Sequence, residues 1–404
     1  MALMRRIAAS LIVMLLVGLW PMSASARPGW KKSIDRMTRG HNMSVSVRDA
    51  GKVLYRRNAG ARRIPASNEK LLLSMALFDR VDPTMRFRTK VVARSFGGGV
   101  VFGDLWIIGR GDPSITGGGK YGRSLPFTPT RLGRLARKIK EAGVTRITGG
   151  VRGSTRYYSH DWWAPGWKSS FPVQEVALPS ALTFEGNQAR NRHIDDPERR
   201  AARSLTKRLR DIGIRVDDMS GAGTPPRALR TVASVRSVPL HTMMRFMNRQ
   251  SSNFFAEVFG KRLAVASRGT PGTIARGANA MEAWAANRGV ELTANDGSGL
   301  SYGNRVSPAG MTRLLQQAER ESWGARLRST LAGADQGTLE NRLNAVRVRA
   351  KTGTLENIST LSGWVWLRTT DSWAEFSIMS SGMYKYTAAE IEDRIVRVLT
   401  KRAR

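Results

Sequence analysis

Ser67 and Lys70, three positions apart, form a candidate nucleophile and base. A serine hydroxyl is a weak nucleophile until a base removes its proton. Side chains three residues apart on a helix lie on the same face, so the lysine amine can reach the hydroxyl. A lysine can act as that base only when burial or a second nearby cation lowers its pKa. The spacing therefore predicts acyl-transfer chemistry at Ser67, provided that the fold supplies one of these conditions.

Two later motifs complete an ordered set with this pair. They are Ser251 to Asn253, which reads S-x-N, and Lys351 to Gly353, which reads K-T-G. Each pattern is weak alone, and Ser204 to Lys207 forms a second S-x-x-K that we interpret as chance. The ordered trio is typical of serine enzymes that are acylated by penicillin-like and D-Ala-D-Ala substrates. Lys351 is then the predicted second cation beside Lys70.

The composition narrows the class of protein. The 404 residues favour more than one domain, and a hydrophobic content of 41% is ample for packed cores. Lysine and arginine outnumber the acids by 66 to 31, and a net charge of +35 attracts polyanions. Nucleic acid and anionic cell-envelope polymers are the candidate partners, and a generally basic soluble surface is the alternative. The chain has no cysteine, which excludes disulfides and thiolate chemistry.

The N-terminal residues predict export. Arg5 and Arg6 precede an apolar run over 7–20, and Ala24-Ser25-Ala26 matches an A-x-A cleavage site. This pattern is typical of a secretory signal peptide spanning 1–26. The alternative is an uncleaved anchor, although the apolar run is short for a membrane span. Export to the periplasm or extracytoplasmic envelope argues against nucleic acid as the natural partner, and no other segment is apolar enough to span a bilayer.

The periodicity predicts two regions of different character. We expect a terminal domain formed by 27–88 and 241–404, interrupted by an inserted α+β domain at 89–240. The expected helices are 67–79, 130–142, 197–212, 240–266, 274–288, 308–320 and 388–401. The expected strands are a hairpin over 43–56, then 90–94, 100–108, 346–351, 361–368 and 373–380. The last three strands are joined by short links, which predicts an antiparallel meander.

The chain resembles the low-molecular-mass class C penicillin-binding proteins, the D-alanyl-D-alanine carboxypeptidase/endopeptidase family. The resemblance extends beyond the trio to the segments Pro65 to Leu71, Leu105 to Pro113, Asn248 to Glu257, Asp296 to Ser301 and Gly337 to Leu339. It implies an α+β fold, a β-lactamase/transpeptidase-like α/β/α sandwich with an antiparallel sheet interrupted by an inserted α+β domain. One departure is the second motif, which usually reads S-D-N and here has Ser252 in the middle. Only the outer two positions are required, so we expect activity to survive.

The resemblance also implies a role for each motif residue. Ser67 is the nucleophile, Lys70 the base and Ser251 the relay of a proton to the leaving amine. Asn253 binds the peptide amide of the substrate, while Lys351 and Thr352 bind its terminal carboxylate.

Two backbone features complete the implied site. Gly353 lets the substrate approach the strand closely. The backbone N–H of Thr354, with that of the nucleophile, forms the oxyanion hole.

The predicted function is a serine-type D-Ala-D-Ala carboxypeptidase or endopeptidase that acts on peptidoglycan stem peptides, with beta-lactams as covalent inhibitors. One alternative is a beta-lactamase on the same scaffold, which requires fast deacylation. The other is a non-catalytic module that binds the cell envelope through its charge. We expect no cofactor and no metal, because the four histidines are scattered and form no H-E-x-x-H motif. Trp162, Trp163 and Trp167 are expected to pack in a core rather than to stack on glycans.

Overall fold

The computed structural model of the chain describes residues 28–403. The predicted signal peptide at 1–26 lies outside the described residues. Among residues 28–403, none of the helices combines the length and apolar character needed to cross a bilayer.

The α-helices have the following bounds: α1 Gly29–Thr38, α2 Glu69–Arg80, α3 Lys120–Ser124, α4 Leu132–Glu141, α5 Phe171–Gln174, α6 Pro197–Asp211, α7 Leu240–Gln250, α8 Asn253–Arg268, α9 Ile274–Ala286, α10 Pro308–Arg320, α11 Gly324–Thr330 and α12 Lys385–Arg402. The strands are β1 Met43–Asp49, β2 Lys52–Arg57, β3 Arg86–Ala93, β4 Ser95–Gly97, β5 Val100–Phe102, β6 Leu105–Ile108, β7 Arg146–Ile147, β8 Val151–Ser154, β9 Gln188–Ala189, β10 Arg192–His193, β11 Arg215–Val216, β12 Gly221–Gly223, β13 Arg230–Pro239, β14 Leu292–Thr293, β15 Arg305–Val306, β16 Val348–Leu355, β17 Ile358–Leu367 and β18 Ser372–Ser381. Short 3-10 turns lie at Ala66–Asn68, Glu185–Asn187 and Gly337–Leu339.

A five-stranded antiparallel sheet joins the two ends of the chain. Its strand order is β16-β17-β18-β1-β2, so the predicted C-terminal meander pairs with the predicted N-terminal hairpin. Successive residues of a strand point to opposite faces. Ile378 accordingly packs in the core under α1 and α12, and its neighbour Met379 packs in the core with α10. Helices therefore cover both faces, and the predicted α/β/α sandwich with an antiparallel sheet is confirmed.

Helix α2 is the central element of the helical core. Every residue from Glu69 to Phe78 is buried, including the charged Glu69 and Lys70. Its neighbours are α7, α8, α9 and α11, whose apolar side chains surround it. A helix enclosed on all sides has no face in contact with water, so an ionisable group in its first turn is either paired inside the protein or held in its neutral form.

The middle of the chain forms its own sheets. The larger one has the order β12-β8-β6-β3-β13, and a smaller one has the order β11-β7-β5-β4. Strands β6, β8 and β12 are parallel, whereas β3 runs antiparallel to β6. Val91, Ile107 and Val151 share a core with Leu135 of α4 and Leu205 of α6, which places both helices on one face of the larger sheet. The predicted single strand at 100–108 is two strands, because Gly103 takes a positive φ of 82° between them.

Part of the middle segment packs on the terminal unit. The ring N–H of Trp167 donates to Asp296 Oδ2 at 2.6 Å, and Tyr158 forms an isolated β-bridge with Gly272. Trp167 is buried with Ile274 and Leu300, which confirms core packing for this tryptophan, whereas Trp163 is exposed and the expectation is wrong for it. The boundaries at 89 and 240 stay a prediction.

Candidate active site

Ser67 lies in a tight 3-10 turn that leads into α2. The turn is unusual because Ala66 has a positive φ of 46°, a conformation that costs a non-glycine residue about 1–3 kcal/mol. Gly299 packs against this turn so closely that a Cβ there would lie 1.9 Å from the Ala66 carbonyl oxygen. Tertiary packing therefore holds the backbone that presents the Ser67 hydroxyl at the surface of the site.

Lys70 has the contacts expected of a base for Ser67. Its Nζ lies 3.0 Å from Ser67 Oγ, 2.8 Å from Asn253 Oδ1 and 2.5 Å from the Ser298 carbonyl oxygen. Burial lowers the pKa of Lys70 to about 8, and nearby carboxylates, Asp296 first among them, oppose that shift. An amine with this pKa can exist in its neutral form close to physiological pH, so it can accept the serine proton.

Lys351 is the second buried amine of the site. Its Nζ donates to Ser251 Oγ at 2.9 Å and to the Thr352 carbonyl oxygen at 2.8 Å. Burial and then repulsion from Lys70 hold the pKa of Lys351 well below its ordinary value. The sequence interpretation had named burial and a second nearby cation as the two ways to lower the pKa of Lys70. Burial is the leading cause at both lysines.

The second motif lies in a break between α7 and α8. The predicted continuous helix over 240–266 is wrong, because Ser251 adopts a left-handed conformation with φ 54° and ends α7. Ser252 then caps α8, and its side chain accepts a hydrogen bond from the Phe255 N–H at 3.4 Å. Serine and aspartate are both favoured N-cap residues, so the capping role accounts for the tolerance of serine at this position.

The break directs two side chains of the motif to the two lysines. Ser251 Oγ accepts from Lys351, and Asn253 Oδ1 accepts from Lys70. The Asn253 Nδ2 group donates to the Glu175 carbonyl oxygen at 3.3 Å, which ties this residue to the middle segment. The site therefore contains two serine–lysine pairs that meet at the start of α8.

The third motif lies on β16, the edge strand of the sheet. The Ala350 N–H donates to the Ala332 carbonyl oxygen, so it points away from β17. The pairing of β16 with β17 continues without a register shift as far as Leu355. Because antiparallel partners alternate between bonded and non-bonded pairs, the N–H groups of Thr352 and Thr354 also face the open edge. A Cβ on Gly353 would lie 3.0 Å from Ser67 N, so the nucleophile and this strand are in close contact.

A cluster of buried carboxyl groups lies behind Lys70, and the sequence reasoning missed it. Glu257 Oε1 accepts from the N–H groups of Gly297 and Ser298, and burial raises the pKa of this carboxyl to about 8. Within residues 28–403, Glu69 has no hydrogen-bond partner on either oxygen, and burial holds its pKa well above the ordinary value. The signal in the sequence was the segment 296–301. Its Asp296 is part of the cluster and accepts hydrogen bonds from the N–H groups of Gly299 and Ser301. Among residues 28–403, no group of histidines and acids has the arrangement of a metal site.

Comparison with known proteins agrees with this geometry. The profile of the D-Ala-D-Ala carboxypeptidase 3 (S13) family matches residues 33–192 and 182–402. A D-alanyl-D-alanine carboxypeptidase of Actinomadura sp. (strain R39) is 25% identical, with 85% of this chain and 78% of the relative aligned. A carboxypeptidase of Mycobacterium tuberculosis is 29% identical, with 78% of this chain and 70% of the relative aligned.

A solved structure supports the fold over almost the whole chain. Penicillin binding protein 4 from Haemophilus influenzae superposes with a TM-score of 0.77 at 18% identity, covering 91% of this chain and 99% of the other. At this identity the likeness is evidence for the fold alone. The family profile, which spans nearly all of the described residues, shows that the chain belongs to the D-Ala-D-Ala carboxypeptidase 3 (S13) family.

Proposed function

We propose that Ser67, Lys70 and Ser251 are the catalytic residues through which this chain hydrolyses D-Ala-D-Ala peptides. The reaction class follows from the family: the chain is a serine-type D-Ala-D-Ala peptidase that acts on peptidoglycan. The observation that carries the assignment is the 3.0 Å contact between Lys70 Nζ and Ser67 Oγ, made by a buried amine whose pKa is lowered to about 8. A neutral amine at this distance is positioned to take the serine proton.

In the proposed acylation step one proton is transferred, the ester C–O bond to Ser67 forms and the peptide C–N bond breaks. Lys70 accepts the hydroxyl proton while Ser67 Oγ attacks the carbonyl carbon of the penultimate D-Ala. The oxyanion that forms accepts hydrogen bonds from the N–H groups of Ser67 and Thr354. The C–N bond then breaks, and the proton that Lys70 accepted is relayed through Ser251 to the leaving amine of the terminal D-Ala. Water hydrolyses the ester in the second half of the reaction.

The proposed substrate site uses the other motif residues. Lys351 and the Thr352 hydroxyl bind the terminal carboxylate, which a beta-lactam presents as well, and Asn253 binds the peptide amide. An arriving carboxylate favours the charged form of Lys351, and that charge then disfavours a proton on Lys70. Substrate binding therefore helps to produce the neutral base. Thr352 Oγ1 lies 2.7 Å from Thr338 Oγ1, which fixes its rotamer.

The test is covalent labelling of the protein with a fluorescent penicillin. Wild-type protein should gain the mass of the label, and Ser67→Ala should gain none. The matched control is Ser204→Ala, which removes the serine of the second S-x-x-K on α6 and should label like the wild type. Release of D-Ala from a peptide ending in D-Ala-D-Ala, measured beside the deacylation rate, separates a peptidase from a beta-lactamase. Folded wild-type protein that takes up no label would refute the catalytic assignment in favour of an envelope-binding module.

We also propose that the chain is exported and that its positive charge contacts anionic envelope polymers. The N-terminal pattern at 1–26 and the peptidoglycan substrate support export, and the net charge of +35 supports the contact. The N-terminal sequence of protein recovered from the envelope tests the first point, because it should begin at Arg27. We keep 89–240 as a proposed accessory domain, supported by sheets whose strands all lie within residues 86–239.

A further inference from the structure

A cavity of about 310 Å³ is lined by the middle unit and by Thr270 of the α8–α9 link, and none of its lining residues belongs to the active site. Its lining includes the carboxyl end of β6, the segment after β8 and the segment after β12. These three strands are parallel, so their carboxyl ends meet at one edge of the sheet. The crevice outside the carboxyl ends of parallel strands is a recurrent place for ligands in open sheets.

The floor of the cavity is the sheet face that α4 and α6 leave open. Lys90 pairs with Ile108 across β3 and β6. Ile107 pairs with Gly153 across β6 and β8, so Ser154 follows on β8 at the level of Ile108, in the same row. Their neighbours Val91 and Ile107 point the other way, into the core beneath the helices. A ligand can therefore lie on this row without displacing any helix, and a volume near 300 Å³ is in the range of small-molecule sites.

The cavity is cationic. Among residues 28–403, its lining includes Lys90, Arg110 and Arg156 and no aspartate or glutamate. Within the described part of the chain, none of these three side chains has a salt bridge of 4.0 Å or less. Three cations without counter-charges around one cavity leave the positive charge available to a ligand.

Arg110 is held in place before any ligand arrives. Its guanidinium stacks on the ring of Tyr157, with 4.5 Å between the Cζ atom and the ring centroid. The other supports of Tyr157 are the stacked ring of Tyr158 and the guanidinium of Arg262, which donates to the Tyr157 hydroxyl at 3.2 Å. Stacking leaves the N–H edge of an arginine free for bidentate binding of an oxyanion.

We propose that this cavity binds an anionic saccharide, with its phosphate or carboxylate on Arg110, Lys90 and Arg156. Apolar atoms of Pro225 and Leu229 form the wall beside these cations and suit the apolar face of a pyranose ring. The choice of a saccharide rests on the action of the chain on peptidoglycan, whereas the preference for an oxyanion rests on the cavity alone.

The test is a calorimetric titration of the wild-type protein with three probes. N-acetylglucosamine 1-phosphate and N-acetylmuramic acid carry the anion, and neutral N-acetylglucosamine does not. We expect one site per chain for an anionic probe and at least about tenfold weaker binding of the neutral sugar. The tighter of the two anionic probes identifies phosphate or carboxylate as the preferred group. Equal binding of all three sugars, or of none, overturns the proposal.

Variants separate this site from general charge attraction. Arg110→Gln and Lys90→Gln should each weaken the anionic probe by about tenfold. Arg134→Gln is the matched control, because it removes an exposed arginine from α4 on the other face of the sheet and should leave the affinity unchanged. If Arg134→Gln weakens binding of the anionic probe as much as Arg110→Gln and Lys90→Gln do, the affinity depends on net charge alone and the proposal is overturned. Penicillin labelling should be the same in all of these variants, so a failed catalytic assignment and a failed saccharide site give different results.

Discussion

Gly353→Ala tests how closely the edge strand must approach the nucleophile. A Cβ at this position would lie 2.2 Å from Thr360 Oγ1, 2.8 Å from the Pro65 carbonyl oxygen and 3.0 Å from Ser67 N. Thr360 cannot easily turn away, because its hydroxyl donates to Pro65 at 2.9 Å and accepts from Asn68. Ordinary van der Waals contact therefore requires Thr360 Oγ1 to move by about 1 Å, and the turn moves with it because this hydroxyl is hydrogen-bonded to Pro65 and Asn68.

A displacement of this size affects chemistry more than stability. Overpacking costs about 1–3 kcal/mol, which a folded domain can survive. A misplacement of about 1 Å between reacting groups lowers a rate by about 10²-fold. We therefore expect the second-order rate of penicillin acylation to fall by about that factor, while the protein still unfolds cooperatively at a reduced temperature.

The assay compares Gly353→Ala with a clash of similar severity elsewhere. Gly150→Ala would place a Cβ 2.3 Å from the Met219 carbonyl oxygen, in the middle unit. It should lose similar stability and acylate at the wild-type rate. Acylation of Gly353→Ala within about twofold of wild type would refute the inference that contact between β16 and the Ser67 turn sets the geometry of the reaction.

Three further predictions concern Ser252, Lys70 and Glu257. Ser252→Ala should lower the free energy of unfolding by about 1 kcal/mol, because α8 loses its cap. Ser252→Asp should keep both stability and labelling. Denaturant titration measures the free energy of unfolding of both variants, and penicillin labelling checks the activity of Ser252→Asp. The acylation rate should rise with pH and level off above about 8, because only neutral Lys70 accepts a proton, and a flat stopped-flow profile from pH 6 to 9 would exclude Lys70 as the titrating base. Glu257 has a pKa raised by burial to about 8, so its protonated form contributes stability that is fully present below about pH 4.5 and is lost as pH rises to about 8. The unfolding free energy of wild type minus that of Glu257→Gln should therefore fall across this range, and a difference independent of pH would contradict the raised pKa.

The identities of the reacting groups could be predicted from the sequence because their constraints are local. Ser67 and Lys70 are three residues apart in one helical turn, so helix geometry alone brings the amine to the hydroxyl. The antiparallel meander at the C-terminus was equally local, since short links allow few other pairings. The order of the three motifs added the class of reaction. Family resemblance supplied the remaining roles.

Tertiary structure alone decided how those groups are tuned. Lys351 reaches Ser251 across 100 positions of the chain, and no local pattern specifies that pairing. The left-handed turn at Ser251 interrupts a stretch whose apolar spacing favours a continuous helix. Burial of Lys70, Glu69 and Glu257 depends on the helices that pack around α2, and this burial lowers the pKa of the lysine and raises those of the acids. Spacing along a chain specifies which side chains can meet, whereas solvation and charge depend on everything that packs around them.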